Sequence, residues 1–160
     1  MEAFLMEKQN IKVSSGPVDL ASAQTGARVS MKGCNRLSFV INLGSSAATT
    51  PTFNLKQHNA ASGGTTKVLS VANPYYHKAG AATSFTKVEP TVAADSYVMT
   101  SVFATAAGLL VLEVLAEDLD ANGGFAWASL DIPAAGAAKL GSVLAVAHHL
   151  DSKPGYADAL

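Results

Sequence analysis

The stretch Arg36-Leu37-Ser38-Phe39-Val40-Ile41-Asn42-Leu43 indicates the fold most clearly. Its odd-numbered positions are all large and apolar, and its even-numbered positions include polar Ser38 and Asn42 together with Val40. A period of two is typical of a β-strand that buries one face. Gly44-Ser45-Ser46 follows directly, and small turn-forming residues of this kind end a strand. The stretch therefore predicts a half-buried strand.

Similar short runs, separated by Gly, Ser, Thr, Asn and Pro, occur along most of the chain, and this spacing predicts a sandwich or barrel. Paired glycines at Gly63-Gly64 predict a hairpin from Thr52 to Val71. Leu109 to Leu115 also fits a Leu-rich helical segment, but its length and flanking strands favour a strand. The other predicted strands are Ile11 to Val13, Ala27 to Met31, Tyr97 to Phe103, Phe125 to Ile132 and Ser142 to His148, with Gly16-Pro17, Gly26 and Asn73-Pro74 as breaks.

We therefore predict an all-β protein, an antiparallel β-sandwich for which a jelly roll is one candidate topology. The 160 residues are enough for one domain with a real core. No long linker divides them, so residues 1–160 are taken as a single domain. Residues 1–10 are predicted to form an N-terminal arm and residues 151–160 a C-terminal tail.

The composition limits the classes of function. Only 14% of the residues are charged and 49% are hydrophobic, whereas soluble domains average about 25% charged residues. Either part of the surface is buried against neighbouring subunits, or the chain is a small Ala-rich soluble domain. A net charge of −1 without a basic stripe argues against direct nucleic-acid binding.

The sequence also bears on membranes and compartment. The longest apolar stretch, Gly108 to Ala116, is too short to span a bilayer, so no membrane partner is expected. The acidic start of the chain is unlike a signal peptide. The single cysteine, Cys34, excludes an internal disulfide and fits synthesis in a reducing cytoplasm.

The segment Asp118-Leu119-Asp120-Ala121-Asn122-Gly123 matches the first half of a calcium loop, because oxygen ligands alternate up to a glycine. The distal position, six residues after the glycine, holds Ser129 instead of a bidentate glutamate. We interpret the segment as an acidic turn between strands. Asp118, Asp120 and Asn122 are weak metal candidates only.

The remaining reactive side chains form no recognisable catalytic set. Adjacent strand residues point to opposite faces, so His148 and His149 are not expected to share a metal. His58 and His77 lie in other segments, and the sequence indicates no base for Cys34. A Gly-x-Ser-x-Gly elbow and a phosphate-binding glycine loop are both missing. We therefore expect a protein that is not an enzyme and has no cofactor or catalytic residues.

Three blocks together resemble the decoration, or cement, proteins of tailed-bacteriophage capsids. They run from Val29 to Gly44, from Phe53 through the small-residue turn to Ser70, and from Leu112 to Ile132, including Asn122-Gly123-Gly124-Phe125. The resemblance implies a β-sandwich that binds the outer capsid surface and stabilises the shell, with the major capsid protein as partner. It also implies a location on the virion exterior and a symmetric homo-oligomer, and it transfers no site residues.

Three copies are favoured, because a trimer would match the local three-fold positions of a capsid lattice, and the two terminal segments are expected contact elements. One alternative is another virion subunit, such as a head–tail connector or tail component. A second alternative is a carbohydrate- or calcium-binding β module that uses the acidic turn with Trp127, Tyr75 and Tyr76. We interpret Trp127 as a core residue, because it alternates within its strand.

Overall fold

A computed structural model describes residues 9–46, 49–99 and 102–149. In these ranges the chain forms eleven strands and one 3₁₀ turn, Ala116–Asp118. The strands are β1 (Gln9–Asp19), β2 (Val29–Ser30), β3 (Cys34–Leu43), β4 (Thr52–His58), β5 (Thr66–Val68), β6 (Tyr75–Ala79), β7 (Thr86–Val88), β8 (Ser96–Val98), β9 (Gly108–Leu115), β10 (Trp127–Asp131) and β11 (Leu140–His149).

The topology is a long hairpin wrapped around the core. Strand β1 pairs with β11, β2 with β10, β3 with β9 and β4 with β8, all antiparallel. Pairing of β11 with β3 and of β10 with β4 joins these hairpins into two sheets. The resulting orders, β1-β11-β3-β9 and β2-β10-β4-β8, are those of a jelly roll. Strand β5 adds to the β4 edge, and the β6–β7 hairpin extends the other sheet to six strands.

The core lies between the two sheets and confirms the predicted strand face. Leu37, Phe39, Ile41 and Leu43 are each at most 1% exposed. They pack with Leu110, Leu112, Val143 and Ala145 from the neighbouring strands and with Phe53, Leu55 and Leu130 from the opposite sheet. The predicted Thr52–Val71 hairpin and the strand at Leu109–Leu115 are also confirmed.

The predicted break at Gly16-Pro17 is wrong, because β1 continues through it to Asp19. The register with β11 shifts between Val13 and Ser15 and again between Ser15 and Val18. These irregularities accommodate a proline that lacks the ladder N–H, and β1 lies at a sheet edge where proline is tolerated.

The predicted arm Met1–Asn10 also needs correction, because Gln9 and Asn10 belong to β1 and pair with His148 and Ala147. Residues 1–8 and the predicted tail 151–160 lie outside the described residues.

The sequence reasoning missed the β6–β7 hairpin and extended the Tyr97 strand too far. Strand β8 ends at Val98, although Met99 and Phe103 beyond it are buried. Strand β6 joins the sheet beside β9, where Ala79 is paired with Gly108. A side chain at Gly108 would collide with the Lys78 carbonyl oxygen and the Phe103 ring, so glycine permits this close pairing.

A buried lysine joins the loops at one end of the sandwich. Lys139 is 1% exposed, and its Nζ donates hydrogen bonds to Phe103 O (2.8 Å), Ser46 Oγ (3.1 Å) and Ala106 O (3.3 Å). Burial lowers the pKa of this amine. Three oxygen acceptors compensate for the lost water and fix the loops around the ends of β3 and β9.

We expect Phe39→Ala to destabilise the fold by about 3–5 kcal/mol, because truncating a large buried side chain loses its burial and leaves a cavity. Denaturant unfolding with tryptophan fluorescence measures the change. Val92→Ala is the control, since Val92 is 75% exposed and should shift stability by less than about 0.5 kcal/mol. Equal stability of the two variants would contradict the assignment of the core.

Candidate protein-binding surface

The outer face of the six-stranded sheet carries an apolar row that crosses five strands. Val13 pairs with Leu144, Leu144 with Val40, Val40 with Val111, and Val111 with Tyr76. Directly paired residues project on the same face of a sheet. Val13 is 59% and Leu144 40% exposed, and the other three are half-buried. We call these five residues the apolar row.

More apolar side chains border the apolar row on the same face. Ile11 pairs with Val146 on one side of it. On the other side lie Leu109, which is half-buried, and Leu140, which is 64% exposed. Single exposed apolar residues are ordinary, whereas a large contiguous apolar patch is typical of an interaction site.

The sequence builds this surface because β9 and β11 are apolar on both phases. In β9 the core takes Leu110, Leu112 and Val114, which leaves Leu109 and Val111 to the outer face. Sequence reasoning missed the surface, since it did not assign the two faces of these strands. The signal in the sequence was that both alternating sets of residues in these strands are apolar, although each strand has only one face toward the core.

A polar network closes one end of the outer face. Gln9 Nε2 donates to His148 Nδ1 at 3.1 Å, and His148 Nε2 donates to Ser38 Oγ at 3.0 Å. Ser38 Oγ in turn donates to Glu113 Oε1 at 3.0 Å, and Arg36 lies 3.6 Å from the same oxygen. The serine proton thus points to the carboxylate, and the imidazole nitrogen beside the serine carries hydrogen. This order makes a continuous hydrogen-bonded chain from Gln9 to Glu113.

Burial lowers the pKa of His148, and the nearby Arg36 guanidinium lowers it further. The ring is therefore neutral at physiological pH, in agreement with its acceptor role toward Gln9. The neighbouring His149 has different contacts, since its Nδ1 lies 3.6 Å from Cys34 Sγ. The two adjacent rings thus engage different partners.

Cys34 has a histidine neighbour that the sequence alone did not identify. The pairing of β3 with β11 brings His149 opposite Cys34. Burial raises the pKa of the Cys34 thiol, whereas a nucleophilic cysteine needs a lowered pKa. An open cavity of about 580 Å³ adjoins the thiol and is lined by Asn35, Arg36, Leu115, Ala116 and Glu117. The geometry favours a packed thiol over a nucleophile.

The acidic segment forms the predicted turn, and protein donors already engage its carboxylates. Asp118 Oδ2 accepts hydrogen bonds from Leu115 N (2.7 Å) and Asn73 Nδ2 (2.6 Å). Asp120 accepts from Lys67 Nζ (2.8 Å) and Gly123 N (2.9 Å), and the lysine bond lowers the pKa of this carboxyl. Asn122 lies exposed in the turn. Within residues 9–46, 49–99 and 102–149, no group of three His, Cys, Asp or Glu side chains could hold a metal ion.

His58 is buried between two hydroxyl groups. Its Nδ1 lies 2.8 Å from Thr66 Oγ1 and its Nε2 2.8 Å from Ser129 Oγ. Burial lowers the pKa of the ring, and Arg28 lowers it further. His77 instead lies edge-on to Phe103, with ring centroids 6.3 Å apart. These histidines join strands and loops.

The aromatic residues considered for sugar binding do not converge. Trp127 is half-buried on the outer face of the five-stranded sheet, because its neighbours Ala128 and Leu130 fill the core. The interpretation of Trp127 as a core residue is therefore wrong. Tyr75 and Tyr76 lie on β6 of the other sheet, and Tyr75 packs edge-on against Tyr97 at 5.5 Å.

In the described ranges, no helix is long and apolar enough to cross a membrane. Comparison of the chain with protein-family models, with curated proteins and with solved structures finds no match.

We expect calorimetric titration with calcium to show no strong binding to the acidic turn. Lys67 neutralises Asp120, and Ser129 supplies no distal carboxylate. Asp120→Ala serves as the matched variant and should give the same flat titration. A submicromolar affinity that disappears in Asp120→Ala would reverse the assignment of these residues as turn formers.

We expect stability to decline as the pH falls through 6.5. The folded-state pKa values of His58 and His148 lie below the ordinary value of 6.5, so the unfolded chain binds more protons in the window below it. The stability that the two neutral histidines contribute is complete above pH 6.5, and it is lost as the pH falls toward their folded-state pKa values. Unfolding midpoints from pH 5 to 8 should vary less in His58→Gln than in the wild type, and an unchanged pH dependence would contradict this role.

Proposed function

We propose that the chain is a structural protein of a tailed-bacteriophage virion, which binds the outer surface of the capsid and stabilises the shell. The proposed partner is the major capsid protein, and the proposed location is the virion exterior after synthesis in the host cytoplasm. The protein acts as a homo-oligomer, with three copies favoured.

The observation that carries the proposal is the apolar row on the outer face of the six-stranded sheet. It joins Val13, Leu144, Val40, Val111 and Tyr76 across five strands. An interface centre is poor in charge and rich in apolar and aromatic side chains, with polar groups at the rim. The row has this composition, and the network of Gln9, His148, Ser38, Glu113 and Arg36 supplies a polar rim at one end.

Repetition makes such a surface effective on a capsid. Each copy needs only modest affinity for the shell, because linked copies bind with a high effective concentration. The low charge of the chain, 14% of residues, supports extensive contact with protein surfaces. The terminal segments remain proposed contact elements, and a truncation that tests the first of them should stop at Lys8, since Gln9 begins β1.

The chemistry of the polar groups supports a role outside catalysis. Ser38 is held in a hydrogen-bonded chain between His148 and Glu113. The Cys34 thiol has a raised pKa, so the thiolate that attacks a substrate is disfavoured. Both groups are better suited to packing and hydrogen bonding than to turnover.

Two valine variants test the proposal. Val13 is 59% exposed on β1 in the apolar row, and Val68 is 60% exposed on β5 at the edge of the other sheet. We expect Val13→Asp to reduce co-sedimentation with preformed, expanded capsids by at least tenfold in affinity, because the carboxylate would be desolvated at the contact. Val68→Asp should bind like the wild type.

Melting temperatures of both variants provide the folding control. Equal capsid affinity of Val13→Asp and Val68→Asp would show that the apolar row is not part of the capsid contact. Failure of the wild type to bind tail-less heads, together with binding to isolated tails, would favour the alternative tail or connector subunit.

A further inference from the structure

Phe85 is an exposed aromatic side chain at one edge of the six-stranded sheet. It ends the loop Gly80-Ala81-Ala82-Thr83-Ser84-Phe85 between β6 and β7. The other loop residues are small, and Phe85 is 47% exposed. Exposed aromatic residues surrounded by small ones are the type that anchors protein interfaces.

A cavity of about 350 Å³ lies toward the opposite edge of the same sheet. It opens at the ends of β1, β3 and β11, and its lining residues include Pro17, Leu43, Gly44 and Leu140. A buried apolar cavity of about 150 Å³ is enough to hold a benzene ring. The cavity therefore has room for a phenylalanine ring together with part of its loop.

The anchor and the cavity lie at the same level along the strands. The last β6–β7 pair joins His77 and Thr86, and Lys78 and Phe85 are the next residues along the chain at this end of the hairpin. Lys78 pairs with Leu109, which pairs with Asn42, and Asn42 pairs with the cavity residue Ser142. This register places both features toward the same end of the sheet, so Phe85 of one copy can meet the cavity of the next when the copies lie side by side.

Charges beside the two features are complementary. Lys78 lies at the Phe85 end of β6, and Asp19 pairs with the cavity residue Leu140. Among the described residues, neither Lys78 nor Asp19 belongs to an ion pair. Side-by-side copies would bring Lys78 of one copy toward Asp19 of the next, which favours this orientation of the contact.

We propose that copies of this chain associate head to tail, with the Phe85 loop of one copy seated in the Pro17–Leu43–Leu140 cavity of the next. Such a heterologous contact forms a closed ring when the rotation closes. The pairing of the two surfaces follows from the geometry, and a ring size of three rests on the proposed function.

Cysteine pairs test the direction of the contact. Phe85→Cys and Leu140→Cys are made as two single variants. The native Cys34 is 3% exposed, and oxidation of the wild type controls for cross-linking through it. We expect oxidation of the mixed variants to give a covalent dimer that neither variant gives alone. Cross-linking of Phe85→Cys alone, as efficient as in the mixture, would indicate a two-fold contact and overturn the proposal, as would a mixture that does not cross-link.

Sedimentation equilibrium tests the anchor itself. Phe85→Ser should raise the dissociation constant of the oligomer by at least about tenfold, whereas Val92→Ser, at a more exposed apolar residue, should leave it unchanged. A monomeric wild type, or equal loss in both variants, would overturn the contact. Co-sedimentation with capsids is measured separately. A monomeric protein that binds capsids would refute only the ring, and a ring that does not bind capsids would refute only the proposed function.

Discussion

The packing of β3 against both of its neighbours and the opposite sheet is the interaction on which the structure depends. Strand β3 lies between β11 and β9, and its four core residues are almost completely excluded from solvent. In a jelly roll the first and last strands are partners, and here β11 lies between β1 and β3. The sheet is therefore complete only when β11 pairs with β3. Burial of Phe39 and its neighbours supplies the driving force that offsets this long-range closure.

The same arrangement produces the apolar outer face. Strand β9 and strand β11 are apolar on both phases, but a sheet in a two-layer sandwich has only one inner face. Val111 and Leu144 therefore remain outside once Leu112 and Ala145 are in the core. This exposed apolar surface is the basis of the proposed function.

Most polar side chains that could carry chemistry are bound within the fold. His58 lies between two hydroxyl groups, Lys139 has three oxygen acceptors, and His148 links Gln9 to Ser38. A buried polar group is costly unless it is paired, so the sandwich uses these residues to join strands and loops. The proposed contacts therefore involve exposed features of the fold: the outer face of the six-stranded sheet, the Phe85 loop and the cavity beside Leu140.

The sequence by itself determined the all-β class, the inner face of β3, the hairpin around Gly63-Gly64 and the acidic turn at Asp118–Gly123, because a period of two and turn residues act locally. It did not determine the passage of β1 through Pro17, the addition of β6 beside Gly108, the outward side of Trp127 or the meeting of Cys34 with His149. These depend on which strands become neighbours. Only the tertiary structure decides that, since pairing between residues that are distant in the sequence leaves no local pattern.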